Sequence, residues 1–157
     1  MTPLRPDHSR PDDEALTTAV TLERVVDVLH ETDLYFFTDR NLELGMYWDG
    51  AITSIHLLGH KSCVLFLASR STRTYPLTAL DVARGTIREW HRVQPWPRGH
   101  YSILEDGSLR LHADVSIDAT MGLGDGQLLS ALLSGVEALR AFFTALEAAC
   151  RIGEAGQ

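Results

Sequence analysis

Histidines are the residues of this sequence whose chemistry would be easiest to recognise, because imidazole serves in both metal binding and acid–base catalysis. Seven are present. His56 and His60 are four residues apart, but the sequence predicts a strand at the first and a turn at the second, so helical ligand spacing does not apply. His91, His100 and His112 are scattered, although the last two are expected on neighbouring strands. A zinc site needs three or four converging ligands, and the spacing predicts none.

The other catalytic patterns are also missing from the sequence. There is no Gly-x-Ser-x-Gly nucleophile motif, and Cys63 and Cys150 lack a spacing motif, which predicts free thiols in a reducing compartment. The glycines between Gly122 and Gly126 precede a helix as in phosphate loops, but Asp125 would repel a phosphate there. We therefore expect a protein that is not an enzyme, with no catalytic residues, no metal and no cofactor.

Composition indicates one ordinary domain. The chain has 157 residues, of which 45% are hydrophobic and 22% charged. Its formal charge of -7 disfavours a nucleic-acid partner. No apolar run reaches bilayer length, and the N-terminus lacks the apolar region of a secretory signal, so we expect no membrane association and a cytoplasmic location. One lysine against thirteen arginines hints at a GC-rich bacterial source.

A basic stripe interrupts this acidic background. Arg84, Arg88 and Arg92 recur at every fourth residue of a predicted helix and so share one side of it. A solvated helix face is the ordinary interpretation. An acidic partner peptide is the alternative that would give the stripe a function.

Hydrophobic periodicity predicts an α+β fold with the order α-β-β-β-β-α-β-β-α, in which helices flank an antiparallel sheet. Residues 1–16 hold three prolines and an acidic run and are expected to form a flexible tail, residues 18–150 the domain, and residues 151–157 a C-terminal tail. The elements are expected at a helix from Thr21, strands 34–38, 44–48, 52–58 and 63–69, a helix after Pro76, strands 101–104 and 109–117, and a final helix capped by Asp125.

Two sets of apolar residues exceed what a small core needs. The stripe of the final helix is wide enough to pack on the sheet and on something else, which makes Leu132, Val136, Leu139 and Phe143 candidates for a dimer or partner contact. In the first two strands, alternation places some rings on the uncovered face of the sheet. Tyr35, Phe37 and Tyr47 are therefore candidates for docking a protein segment.

The segment 89–97 carries a resemblance to a known family. It has Trp90-His91 at a predicted helix end, then Trp96-Pro97 before two strands, and residues 107–146 continue with an alternating strand and a long helix. This pattern resembles the YbjN family over about residues 20–148. In that family an asparagine often follows the first tryptophan, so His91 is a departure whose bonding at the helix end must differ.

The resemblance implies a domain similar to type III secretion chaperones, which commonly act as homodimers that bind extended segments of client proteins. Family members are often labelled sensory transduction regulators, and the family offers no catalytic residues. We therefore expect a chaperone-like or regulatory protein-binding module that forms a homodimer. The alternative is a small-molecule sensor with a pocket between sheet and helices, lined by Trp48, Trp90 and Tyr101.

Overall fold

A computed structural model describes residues 18–40 and 43–155, with only the backbone for 152–155. The predicted tail at 1–16 lies outside the described residues. The observed helices and strands are α1 (Leu22–Leu29), β1 (Phe36–Thr38), β2 (Leu44–Trp48), β3 (Ala51–Leu58), β4 (Val64–Ser71), α2 (Leu80–Val93), β5 (Arg98–Ile103), β6 (Leu109–Asp118) and α3 (Asp125–Ala155). Short 3-10 turns precede β4 and α2 at His60–Ser62 and Leu77–Ala79.

The six strands form one antiparallel sheet in the order β1-β2-β3-β4-β6-β5. The predicted α+β class and element order are therefore confirmed. Asp49 and Gly50, with φ of 38° and 83°, make the tight turn between β2 and β3, as expected for an Asp-Gly hairpin. After α2 the chain returns as a hairpin whose second strand, β6, pairs with β4, so β5 forms an edge of the sheet.

Alternation along the strands separates a covered face from an open face. Leu111, Ala113 and Val115 of β6 are buried and face α3, which is flanked by α1 and α2. Among the residues that the structure describes, all three helices pack on this covered face. The helical side meets the sheet through close contacts: Phe142 lies over Gly99 of β5, and the Phe143 ring stands edge-on to Trp48 at 5.7 Å.

The ends of α3 differ from the prediction. Asp125 is the first helical residue instead of the cap, and its carboxylate pairs with Arg24 of α1. The N–H of Gly124 is satisfied by the side-chain oxygen of Gln127 at 2.9 Å. At the other end the helix continues to Ala155, past residue 151 where the C-terminal tail was expected to begin, and the last buried side chain along it is Cys150.

By length and composition alone, the part of α3 from Asp125 to Arg151 could cross a bilayer, because it contains an 18-residue window with a mean hydropathy of 1.4. In this fold its apolar side is already covered by the sheet and the other helices, where Leu128, Leu132 and Phe142 are fully buried. The central helix of a soluble-type α+β fold has the same composition, so this feature is weak evidence for a membrane span.

Candidate protein-binding surface

The open face is the part of the sheet that no described helix covers. The strand register places Tyr47, Ile52 and Arg70 side by side across β2, β3 and β4, and the same row continues through His112 to His100 at the β5 edge. The row therefore begins with an apolar side chain and ends with basic ones. The open face has an aromatic half on β1–β3 and a basic half on β4–β6–β5.

The three candidate aromatics lie in β1 and β2 or directly before β1, at one edge of the sheet, and we call this region the aromatic corner (Tyr35, Phe37 and Tyr47). Their exposed fractions are 74%, 38% and 53%. Tyr35 and Tyr47 line the same cavity of about 320 Å³ together with Arg140 of α3, whereas Phe37 lines a different cavity. Phe37 lies on the open face with its ring over Gly45, where a β-carbon would collide with the ring. The glycine thus allows an aromatic ring to lie flat on the sheet beside the edge strand.

The four candidates on α3 are not at the surface. Leu132, Val136, Leu139 and Phe143 are 2% exposed or less, packed within the protomer's own core. The stripe is wide because α3 packs on the sheet and also on α1 and α2. The wide stripe therefore packs on other parts of the same chain. A second molecule could not contact these four residues in this fold.

The tryptophan–proline motif builds the connection from α2 to β5. Trp90 stands edge-on to Phe142 with ring centroids 5.3 Å apart, and Pro97 is buried after a cis peptide bond with Trp96. His91 accepts a hydrogen bond at Nε2 from the N–H of Gly99, at 3.0 Å. The histidine at the position of the usual asparagine thus bonds the edge strand beyond the turn.

A polar cluster occupies the basic half of the open face. The Asp114 side chain is 8% exposed and is held by Arg98, with Nε to Oδ2 at 3.2 Å, and by His100, with Nδ1 to Oδ1 at 3.6 Å. His100 stacks on His112 at 5.0 Å between ring centroids, and Nε2 of His112 lies 2.8 Å from Oγ of Ser102. Burial holds the pKa of His112 below its usual value, assisted by the positive charges of His100, Arg110 and Arg70.

This cluster does not form a catalytic triad. The carboxylate of Asp114 faces His100, whereas Ser102 contacts His112, so no acid orients the histidine beside the hydroxyl. Within the described residues no group of three or more His, Cys, Asp or Glu side chains could hold a metal ion.

A groove of about 370 Å³ runs between α2 and the β5 edge, and we call it the basic groove (Arg84, Arg88, His91 and His100, with Ile87, Gly99 and Tyr101). Two members of the predicted arginine stripe line it. The third, Arg92, instead pairs with Glu89 at 3.0 Å. Sequence reasoning missed the groove because it began β5 at residue 101 and so left Arg98 and Gly99 outside the sheet. The polar side of β6 could have indicated this pairing, because Asp114 of β6 lies opposite Arg98.

The proposed small-molecule pocket does not form from the residues chosen for it. Trp48, Trp90 and Tyr101 line three different cavities. Trp48 is almost fully buried, and its indole N–H donates to Thr53 at 2.8 Å. Trp48 and Trp90 each pack against a phenylalanine of α3, whereas Tyr101 lines the cavity between α2 and β5.

Comparison with known proteins supports the fold. No family model matches the sequence, and no curated protein matches it. Among solved structures, YbjN from E. coli, provisionally described as a transcription regulator, superposes with a TM-score of 0.66 at 16% sequence identity. The match covers 84% of this chain and 93% of that chain. At that identity the likeness speaks for the fold alone, and it confirms the YbjN-like fold that the tryptophan–proline motif implied.

Proposed function

We propose that the chain is a non-enzymatic, regulatory protein-binding module that forms a homodimer through the aromatic corner. The observation that supports it most directly is the exposure of Phe37 and Tyr47 on the open face of the sheet, with Tyr35 exposed directly before β1. Similarity in fold to a protein described as a regulator fits a regulatory module, and the polar cluster offers no catalytic arrangement.

A second copy fits this corner better than α3. The apolar stripe of α3 is buried in the core of the same chain. Of the two candidate surfaces predicted from the sequence, the α3 stripe and the strand aromatics, only the aromatics remain exposed. Aromatic side chains bury large areas with few rotatable bonds, and Phe37 is already held against Gly45, so little conformational freedom remains to be lost on association. A two-fold dimer would bury the same patch twice, once from each protomer.

The test is the mass in solution, measured by light scattering coupled to gel filtration. We expect the wild-type chain, whose monomer mass is 17.4 kDa, to elute at twice that mass. A Phe37→Glu/Tyr47→Glu variant should elute at the monomer mass with an unchanged circular dichroism spectrum. Leu133→Glu is the matched control, because Leu133 is 37% exposed, like Phe37 at 38%, but lies on α3.

A dimer that survives the double substitution and is lost in Leu133→Glu would place the interface on the helical layer. A wild-type monomer at all accessible concentrations would exclude the homodimer altogether. Either result contradicts the proposal.

Small-molecule sensing is a second candidate, supported by a different cavity. A space of about 510 Å³ between α2 and α3 is lined mainly by apolar groups, including Trp90, Val93 and Ala145. A thermal-shift screen against metabolites tests this function, since a ligand at a hundredfold excess over Kd stabilises by ~2.7 kcal/mol. A genuine hit should be lost in Ala145→Trp, which fills the space from α3.

A further inference from the structure

The outer edge of β5 carries backbone groups directed away from the sheet. The N–H of Gly99 donates outward to His91, which makes Gly99 and Ala113 a pair without mutual hydrogen bonds. On β6 the N–H of Leu111 donates away from β5, to Oγ of Ser71 at 3.2 Å. The pair Tyr101–Leu111 is therefore of the same kind, and alternation directs the N–H and C=O of Tyr101 to the free edge.

The same alternation applies at the end of the strand. Leu109, which opposes Ile103, exchanges both of its backbone hydrogen bonds with Tyr75 at 2.8 Å. The N–H of Ile103 is consequently directed outward as well. From Tyr101 to Ile103 the β5 edge therefore presents the spacing of donors and acceptors that an added strand requires.

The basic groove runs beside this edge and is positively charged in an acidic protein. Arg88 has no carboxylate within ion-pair distance among residues 18–40 and 43–155, and Arg84 is paired only loosely, with 3.9 Å between its Nη1 and Oδ1 of the highly exposed Asp81. His100 adds an imidazole on the open face, and His91 of α2 reaches the strand by accepting the N–H of Gly99. A strand added at β5 would alternate its side chains between Arg84 and Arg88 on one side and His100 on the other.

We infer that the β5 edge and the basic groove bind an extended, acidic segment of a partner protein, which adds as a seventh strand. This inference rests on the proposed function, because it names the partner chemistry of the protein-binding module. A second copy at this edge is disfavoured, since a two-fold pairing of β5 with itself would bring Arg84 and Arg88 of both copies together. The groove is also separate from the aromatic corner, which lies at the opposite side of the sheet.

Fluorescence anisotropy with a labelled peptide of alternating glutamate and valine tests the inference on the full-length protein. We expect saturable binding that weakens about tenfold or more between 50 mM and 500 mM salt, because the recognition is electrostatic. A peptide of alternating lysine and valine should not bind. An acidic peptide with central prolines should bind about tenfold more weakly, because proline cannot donate to the ladder.

Two sets of variants separate the groove from general charge. Arg84→Glu/Arg88→Glu should weaken binding about tenfold or more, whereas Lys61→Glu/Arg73→Glu, which changes the net charge equally at exposed sites elsewhere, should leave it within about twofold. Ile103→Pro removes one outward N–H at a residue that is 54% exposed, so the sheet should survive while binding falls.

Equal weakening by both charge variants, or full binding by Ile103→Pro and by the proline peptide, would overturn the strand-addition model. If neutral substitution of Asp12, Asp13 and Glu14 in the full chain increases peptide affinity about tenfold or more, the chain's own acidic segment is the occupant and the partner assignment is overturned. A wild-type chain that forms the dimer but does not bind the acidic peptide would exclude this inference alone, whereas a wild-type monomer that binds the peptide would exclude only the dimer at the aromatic corner.

Discussion

The two faces of the sheet are built from the same alternating strands but are completed in different ways. On the covered face, the side chains of β2, β3, β4 and β6 are buried by α3 and its two flanking helices. On the open face, the same strands present Tyr47, Arg70 and His112 to their surroundings. The side chains of the covered face are buried by other parts of the same chain, whereas those of the open face can contact other molecules.

The difference teaches that the width of an apolar stripe is a poor guide to an intermolecular contact. The α3 stripe looked surplus in the sequence, yet it is fully used within the protomer. The candidates that remain available are the few aromatics and basic side chains on the face without helices. Three predictions test the contrast, and they are ordered from the largest effect to the smallest.

Phe142→Ala should have the largest effect, because it removes a large, fully buried ring from the covered face. The ring is fully buried between Gly99, Trp90 and Phe143. We expect a loss of ~3–5 kcal/mol in the free energy of unfolding, measured by urea denaturation. The open-face control Leu58→Ala, at a residue 45% exposed, should cost less than ~1 kcal/mol. Similar losses in both variants would remove the distinction between the faces.

Gly99→Ala tests the packing of the covered face by adding a single carbon atom. A β-carbon at Gly99 would meet the ring of Phe142, so the substitution overpacks the covered face and should destabilise by ~1–3 kcal/mol. Gly85→Ala is the matched control: its β-carbon meets nothing within 4 Å, and on α2 it should stabilise by up to ~1 kcal/mol. Thermal denaturation of the two variants gives the comparison, and a neutral Gly99→Ala would show that Phe142 can move aside.

His112→Gln should reveal an acid sensitivity that belongs to the open face. The pKa of His112 is lowered by burial and by neighbouring positive charges, so the unfolded chain takes up the proton first as pH falls. The contribution of His112 is complete above its ordinary pKa of 6.5 and is lost below it. Wild-type stability should therefore fall between pH 7 and pH 5 more steeply than that of the variant, measured by urea denaturation.

Two carboxylates also make the stability depend on pH, but in a more acidic range than His112 does. Hydrogen bonds from Ser108 lower the pKa of Asp106, and bonds from Thr120 lower that of Asp118, from an ordinary 3.8. Their stabilising contributions are present above that value and are lost only in stronger acid. Parallel pH profiles of the wild type and His112→Gln above pH 5 would contradict the assignment to His112.

The fold was predictable where pattern and turn chemistry agree. Asp49-Gly50 predicted the hairpin between β2 and β3, and the alternation of β6 from Leu109 to Ile117 predicted its buried side. The start of β5 was missed because Arg98 and Gly99 follow prolines and carry no apolar alternation. Their place in the sheet depends on pairing with Asp114 and Ala113, which is a long-range property.

The candidate site was predictable only in part, for the same reason. The exposed aromatics could be proposed from alternation in the first strands. The basic groove could not, since it combines Arg88 of one helix with the free edge of a strand whose neighbour was unknown. Burial of Leu132 and Phe143 depended equally on how many helices pack around α3, which local periodicity does not specify.

The position of β6 between β4 and β5 has a consequence for the order in which the sheet assembles. The meander β1–β4 needs only contacts between near neighbours in sequence, and the β5–β6 hairpin is equally local. Joining the two requires closing the chain across α2, so that Val115 can meet Leu67. We therefore expect docking of the hairpin onto β4 to be the slow step of folding. Amides of β6 should be the most protected from hydrogen exchange, and those on the outer edge of β5 among the first to exchange.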